Sequence, residues 1–276
     1  MGTSTYSRGA KGGVSFDPPW LDTLIEGISG TEDGACLESV AVDTVAPKAR
    51  YAGARRNLNA FVDNGSRDSL RRAMRSYVRK GLGGSAQATR RLRYPIALGA
   101  RLLSVLKSLR ENENENLLSI ITELRVQGAS VSEISAAVVK SVVQSTGSVE
   151  ETRAEEAMSE AMAEFLLDQE SREDFDITHL SDIDILEILE LFLSNVIFAE
   201  TWFDIGQVFE ASALSPAERT SRGEELRLLI RSFVGNEISK IRQQGIMPNT
   251  EYDAVRIISN GIKCVYDAFV GGGVNG

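Results

Sequence analysis

The chain has 276 residues, 42% of them hydrophobic, which is enough to bury a sizeable core, and its formal net charge is −9. One histidine and two cysteines argue against a disulfide framework and a zinc site, and they exclude any mechanism that needs two imidazole groups, so we expect a protein that is not an enzyme. Because we find neither a long apolar run nor the layout of a secretory signal, we expect a cytoplasmic protein without a membrane partner.

Residues 1–19 are rich in Gly, Ser and Thr and are predicted to form a flexible N-terminal tail. Removal of Met1 would expose Gly2, whose α-amine has a pKa of about 7.7 to 8.0, against about 10.4 for lysine. Three following residues offer hydroxyl groups for recognition in a partner's pocket, namely Thr3, Ser4 and Thr5. The alternatives are a disordered leader and N-myristoylation, and Tyr6 disfavours the latter because that signal needs Ser or Thr at this position.

Residues 20–110 are predicted to be a basic helical region. The stretch 48–110 has 16 of the 30 basic residues of the chain and only two acidic ones. Apolar residues at helical spacing predict helices capped by Ser66 and Ser85, with a break or kink at Pro95. Six arginines of this region are candidate contacts for a partner or a phosphate group: Arg71, Arg72, Arg75, Arg90, Arg91 and Arg93.

The basic region has three interpretations. It can contact a partner protein, pair with the acidic remainder of its own chain, or bind the backbone of a nucleic acid. We favour the first two, because the chain as a whole is acidic and because only Tyr77 and Tyr94 interleave with the arginines.

Residues 111–276 are predicted to be an acidic helical bundle, with 30 acidic and 12 basic residues. Helix starts are marked by Ser or Thr followed three positions later by Glu or Asp, as in a capping box, at Ser130, Ser148, Ser181, Ser215 and Thr250. The expected helices span residues 117–128, 131–146, 149–169, 182–203, 216–244 and 250–269, with a weak point near Gly235.

The segment from Ile183 to Ile197 is the most hydrophobic in the chain and is apolar on nearly all faces. Such a helix belongs at the centre of a bundle. Since no alternating strand pattern accompanies these helices, we predict an all-α fold, a multi-helix bundle with a flexible N-terminal tail.

A cluster of acidic residues around the single histidine resembles a metal site: Asp174, Asp176, His179, Asp182 and Asp184. Helix capping and the helix dipole explain these residues equally well, and spacing alone does not make their oxygens converge. We therefore predict neither a metal site nor catalytic residues.

Five segments in the first third of the chain carry a family resemblance. They are Met1-Gly2-Thr3-Ser4, the Gly-rich tail that ends at Pro18-Pro19-Trp20, Ala54-Arg55-Arg56-Asn57-Leu58, and the segments 67–73 and 77–85. On these motifs the chain resembles the QatB family, the small component of the Qat antiphage defence systems.

The resemblance implies a four-component system with an ATPase (QatA), a QueC-like enzyme (QatC) and a TatD-like nuclease (QatD). It further implies that the QueC-like enzyme adenylates a 7-deazaguanine carboxylate and transfers it to the N-terminal Gly2. From their hydroxyl groups, we expect Thr3, Ser4 and Thr5 to be recognised by that enzyme. We thus expect a defence subunit that carries 7-deazaguanine on Gly2, needs no other cofactor and docks partner proteins on its helical body. The alternative is a nucleic-acid or phosphate-binding adaptor that uses the arginine-rich helices.

Overall fold

The fold consists of α-helices joined by short turns. The computed structural model describes residues 50–143, 149–169, 176–245 and 247–271, and these ranges contain no β-strand. The predicted all-α class is confirmed. The predicted tail, with Gly2, Thr3, Ser4 and Thr5, lies outside the described residues.

Between residues 50 and 110, the described stretch of the basic part forms four helices: α1 (Ala52–Asn64), α2 (Arg67–Ser76), α3 (Ser85–Arg91) and α4 (Arg93–Arg110). A π-helical turn, Tyr77–Gly81, extends α2. Helix α1 was not predicted. Ser66 occupies the N-cap of α2 but makes no capping hydrogen bond, and Ser85 is the first residue of α3 and not its cap.

The predicted break at Pro95 occurs three residues earlier, at Leu92, between α3 and α4. Pro95 lies in the first turn of α4, where a backbone N–H has no acceptor within the helix. Because a proline loses no helical hydrogen bond there, Pro95 is accommodated in this helix and does not interrupt it.

The acidic part forms seven helices in its described ranges: α5 (Glu115–Val126), α6 (Val131–Val142), α7 (Val149–Gln169), α8 (Asp182–Ile205), α9 (Gln207–Glu210), α10 (Pro216–Gln243) and α11 (Glu251–Gly271). A 3-10 turn, Ile177–His179, precedes α8. The structure confirms three predicted capping boxes, at Ser130, Ser181 and Ser215. At the fourth, Thr250 Oγ1 accepts from the N–H of Asp253 over 3.0 Å, whereas Ser148 lies outside the described residues.

Helix α10 is unbroken at Gly235, where a weak point was predicted. A Cβ at this position would lie 2.9 Å from Oε1 of Glu190 on α8. The glycine therefore allows α8 and α10 to approach closely, and packing against α8 outweighs its low helix propensity.

Helix α8 occupies the centre of the fold, as predicted, and packs against α4, α7 and α10. Most of its side chains are buried, including Ile188 and Phe192. Ile183 differs from the prediction, because it lies in the first turn and is 54% exposed. In the described part of the chain, no helix combines the length and the apolar character needed to cross a membrane.

The N-cap residue of α10, Ser215, provides a test of where this helix begins. Ser215→Ala removes the side chain that accepts from the N–H of Glu218, so it should lower the free energy of unfolding by about 1 kcal/mol. Urea unfolding followed by circular dichroism measures this difference.

Ser221→Ala is the matched control, because Ser221 is exposed on the same helix. It should change the free energy of unfolding by less than about 0.5 kcal/mol. Equal changes in the free energy of unfolding from the two substitutions would show that the Ser215 cap does not stabilise the helix.

Candidate functional site

A cluster of charged side chains is buried where α3 meets the end of α8. Arg91 donates to both carboxylate oxygens of Asp204, from Nη1 to Oδ2 over 2.5 Å and from Nη2 to Oδ1 over 3.1 Å. Arg91 Nη2 also lies 2.9 Å from Oε2 of Glu200, and Glu200 Oε1 lies 2.9 Å from Nη2 of Arg153 on α7. Asp204 and Glu200 are only 6% and 8% exposed. Two cations and two anions therefore balance each other, as buried charges must.

Two tyrosines of the basic part complete this cluster. The hydroxyl groups of Tyr51 and Tyr77 donate to Asp204 Oδ2 over 2.8 Å and 2.9 Å, and their rings stack with centroids 5.8 Å apart. Hydrogen bonds to a buried carboxylate replace the water it loses on folding. We refer to these six residues as the Arg91 network: Tyr51, Tyr77, Arg91, Arg153, Glu200 and Asp204.

The π-helical turn places Tyr77 in the network. The N–H of Leu82 donates to the carbonyl of Tyr77, five residues earlier, over 2.9 Å. Gly81 closes this turn against the ring of Tyr51, and a Cβ there would lie 2.6 Å from Cδ1 of Tyr51. A residue with a side chain at position 81 would thus displace one of the donors to Asp204.

Burial and hydrogen bonding shift the pKa values of the network. Burial raises the pKa of Tyr77 well above its ordinary value, and burial with the Asp204 hydrogen bond raises the pKa of Tyr51. Burial tends to lower the pKa of Arg91, but its hydrogen bond to Asp204 and the nearby charges raise it overall. The tyrosines therefore stay protonated as donors and Arg91 stays charged, which suits a fixed ion network that holds helices together.

The basic part also pairs with the acidic part at two further points. Arg101 Nε lies 3.8 Å from Oε1 of Glu251, and Arg110 Nη1 donates to Oδ1 of Asp182. Together with Arg91, these arginines match the interpretation that the basic region pairs with the acidic remainder of its own chain.

The six predicted contact arginines lie in different environments. Arg91 points into the buried network, with its side chain 27% exposed. Arg90 is half-buried on α3, and Arg93 is half-buried at the start of α4. The other three lie together on α2, where Arg71 and Arg72 are exposed and Arg75 is half-buried. Their role as partner or phosphate contacts stays a prediction.

One side of α2 carries arginines at every fourth position. Arg67, Arg71 and Arg75 are spaced to lie on one face of the helix, which we call the basic face. None of the three forms an ion pair with another residue in the described ranges. The basic face therefore offers cationic groups that the described part of the fold leaves uncompensated.

The acidic residues around His179 serve local structure. Asp176 accepts from Arg125 Nη2 over 2.5 Å and from the N–H of Thr178 over 2.8 Å. Burial tends to raise the pKa of Asp176, but these hydrogen bonds hold it well below the ordinary value.

The neighbouring carboxylates are engaged as well. Asp182 pairs with Arg110, and Asp184 closes the capping box of Ser181. Asp174 lies outside the described residues. Within the part of the chain that the structure describes, no three His, Cys, Asp or Glu side chains are arranged to hold a metal ion.

The sequence patterns did not predict the Arg91 network. They indicated Arg91 as a surface contact and did not single out Glu200, Asp204 or Arg153. A signal was present, because Glu200 and Asp204 are four residues apart, and therefore on one face, at the end of the most apolar helix. Two acids on one face of a buried helix require cationic partners, which their position in the sequence does not identify.

A protein-family model described as "Qat anti-phage system associated protein QatB" matches residues 83–269. The match covers more than half of the chain and includes four charged members of the network, namely Arg91, Arg153, Glu200 and Asp204. Helices α1 and α2 precede the matched range. Comparison with curated proteins and with solved structures gives no significant match.

The buried ion pair should couple Arg91 and Asp204 energetically. Asp204→Ala and Arg91→Met should each lower the free energy of unfolding by about 3 kcal/mol, since each leaves a buried charge without its main partner. The double variant should lose at least about 1 kcal/mol less than the sum of the two. Urea unfolding of the four proteins measures this coupling.

Asp182→Ala is the control for a surface ion pair, because the Asp182 side chain is 55% exposed. Its effect should stay below about 1 kcal/mol. Additive effects of Asp204→Ala and Arg91→Met would contradict the described pairing.

The buried tyrosines predict a loss of stability at alkaline pH. Burial raises the pKa of Tyr266, and burial with the charge of Glu155 raises the pKa of Tyr94 to about 12. The folded chain therefore binds the protons of these tyrosines more tightly than the unfolded chain does. The stability gained in this way is fully present below about pH 10, the pKa of tyrosine in the unfolded chain. The contribution of these tyrosines to the free energy of unfolding should therefore be constant below about pH 10 and be lost as pH rises further.

Absorbance of tyrosinate during an alkaline titration checks this prediction. Several tyrosines should ionise only as the chain unfolds, and Tyr266→Phe should remove one late-ionising group. Complete ionisation near pH 10 in a chain that stays folded would contradict the buried hydrogen bonds.

Proposed function

The chain belongs to the QatB family of Qat anti-phage system associated proteins, and from this membership we propose that it is the subunit that carries a covalent modification at Gly2. As a member of this family it is a component of an anti-phage Qat system. In our proposal, a QueC-like partner enzyme joins a 7-deazaguanine to the α-amine of Gly2 after Met1 is removed. The chain is then a substrate and a docking partner and not itself an enzyme.

The chemistry of the Gly2 amine supports this role. Roughly a third of such α-amines are neutral near pH 7.5, against about 0.1% of lysine side chains, and only the neutral amine is nucleophilic. The amine attacks the carbonyl carbon of an acyl adenylate, an amide bond forms, AMP leaves and the amine loses a proton. Glycine presents no Cβ to hinder this attack. Thr3, Ser4 and Thr5 are the residues that the partner enzyme would recognise beside it.

The helical body supports the docking part of the proposal. The Arg91 network fixes α3 and the π-helical turn to α8, and the basic face on α2 has cations without ion pairs in the described ranges. An acidic surface on another protein of the Qat system would complement this face. The QueC-like enzyme QatC is the first candidate, followed by the ATPase QatA and the TatD-like nuclease QatD.

The second candidate function, nucleic-acid binding, uses the same arginines. Single strands are bound by stacking of bases on aromatic side chains beside basic groups. Tyr77, one of the two tyrosines that interleave with the arginines, is 1% exposed and donates to Asp204. Since this ring is not accessible to a base, the structure favours a protein partner.

Intact-mass spectrometry tests the acceptor role. The chain is produced with the QueC-like enzyme, and its mass should rise by one 7-deazaguanine acyl group. Fragmentation should place the added mass on Gly2. The added mass should disappear in Gly2→Pro, whose secondary amine is hindered, and remain detectable in Gly2→Ala, which keeps a primary amine.

Lys11→Arg is the control for lysine modification, because Lys11 is the only lysine among residues 1–47. This variant should be modified as fully as the wild type. An unchanged mass in the wild type, or an added group that persists in Gly2→Pro, would refute Gly2 as the acceptor.

A further inference from the structure

A groove separates α2 from α10 beside the basic face. It has a volume of about 260 Å³. Arg67, Leu70 and Arg71 line it from α2, and residues of α10 line the other side, namely Glu225, Leu228 and Leu229. We refer to it as the α2–α10 groove.

The rim of the groove has an excess of positive charge. Arg67 and Arg71 are exposed and form no ion pair with any described residue. Glu225 is the one acid among the described lining residues, and it already pairs with Arg222, whose Nη1 lies 2.7 Å from its Oε1. A ligand that enters the groove therefore meets two guanidinium groups that no described residue neutralises, and such groups bind carboxylates through paired hydrogen bonds.

The groove also presents aliphatic surface. Leu228 is 62% exposed on the α10 side of the groove, and Leu70 on the α2 side is 2% exposed. Together with the half-buried Leu229, Leu228 gives the groove a small apolar part on which an aliphatic side chain of another protein can pack. Among the lining residues that the structure describes, none has an aromatic ring on which a nucleic-acid base could stack.

We infer that the α2–α10 groove binds an acidic amphipathic segment of a partner protein. An aliphatic side chain of this segment packs on Leu228, and two carboxylates pair with Arg67 and Arg71. The two arginines are four residues apart, about 6 Å along the helix axis. The partner carboxylates match this distance at positions i and i+4 of a helix, or at i and i+2 of a strand. The inference rests on the docking role proposed above and not on Gly2.

Site-specific photocross-linking tests the groove in the full chain. A benzophenone amino acid replaces Leu228, and the chain is produced together with the other proteins of its Qat system. The benzophenone should cross-link to a partner segment that has an apolar residue and two acids at the stated spacing. The same amino acid at Leu167, which is 60% exposed on α7, is the matched control and should not capture this segment.

Binding measurements on charge and shape variants complete the test. Arg67→Glu with Arg71→Glu, and separately Leu228→Glu, should each weaken binding of the captured partner at least about tenfold. Leu167→Glu should have no effect. Lys140→Glu with Lys263→Glu, a charge-matched pair at exposed positions, should weaken it far less.

Several results would overturn the inference: equal cross-linking from positions 167 and 228, no cross-link from 228, or capture of nucleic acid or of a second copy of this chain. Unchanged binding in the groove variants would overturn it as well. The intact mass of the chain, measured in the same samples, shows whether Gly2 is modified and so tests the acceptor proposal independently of the groove. A chain modified at Gly2 without a cross-link from 228 refutes only the groove, and a cross-linked but unmodified chain refutes only the acceptor.

Discussion

The ion pair between Arg91 and Asp204 is the interaction on which the rest of this structure depends. It joins residues 113 positions apart in the sequence, and it closes a site from which water is largely excluded. Tyr51 and Tyr77 donate to the same carboxylate, so a single oxygen of Asp204 fixes the start of α1, the π-helical turn and the end of α3. Since a buried charge without its partner is costly, these elements hold their positions together.

The same network divides the arginines of the basic part into two groups with different roles. Arg91, Arg101 and Arg110 pair with acids of α8 and α11, and they hold the fold together. The arginines of the basic face are left outside this pairing. A chain with a net charge of −9 thus keeps a local positive surface, which favours an acidic protein partner over general attraction to phosphate.

Local signals in the sequence predicted much of the helical framework. The capping boxes at Ser181 and Ser215 predicted where α8 and α10 begin, and the apolar run of α8 predicted that this helix is central. Both signals could be found in the sequence because each depends only on residues close together in the chain. Helix α1 escaped prediction because it has Gly53 and paired arginines and lacks a capping side chain at Tyr51. The Arg91 network was not predicted for a different reason, because tertiary packing determines which residue becomes the partner of a buried charge. The arginine pattern on α2 was visible, but the leucine-lined groove beside it requires α10, more than 150 residues later in the chain.

In the proposed function, the chemistry is that of one amine, at Gly2, and the helical part of the chain docks the partner proteins. The most direct measurement is the mass of the N-terminal peptide from chain purified from bacteria that carry the complete Qat system, with or without its QueC-like protein. We expect a peptide that begins at Gly2 and carries one added acyl group, and we expect this group to vanish when the QueC-like protein is absent. Identical, unmodified peptides from both strains would contradict the proposal.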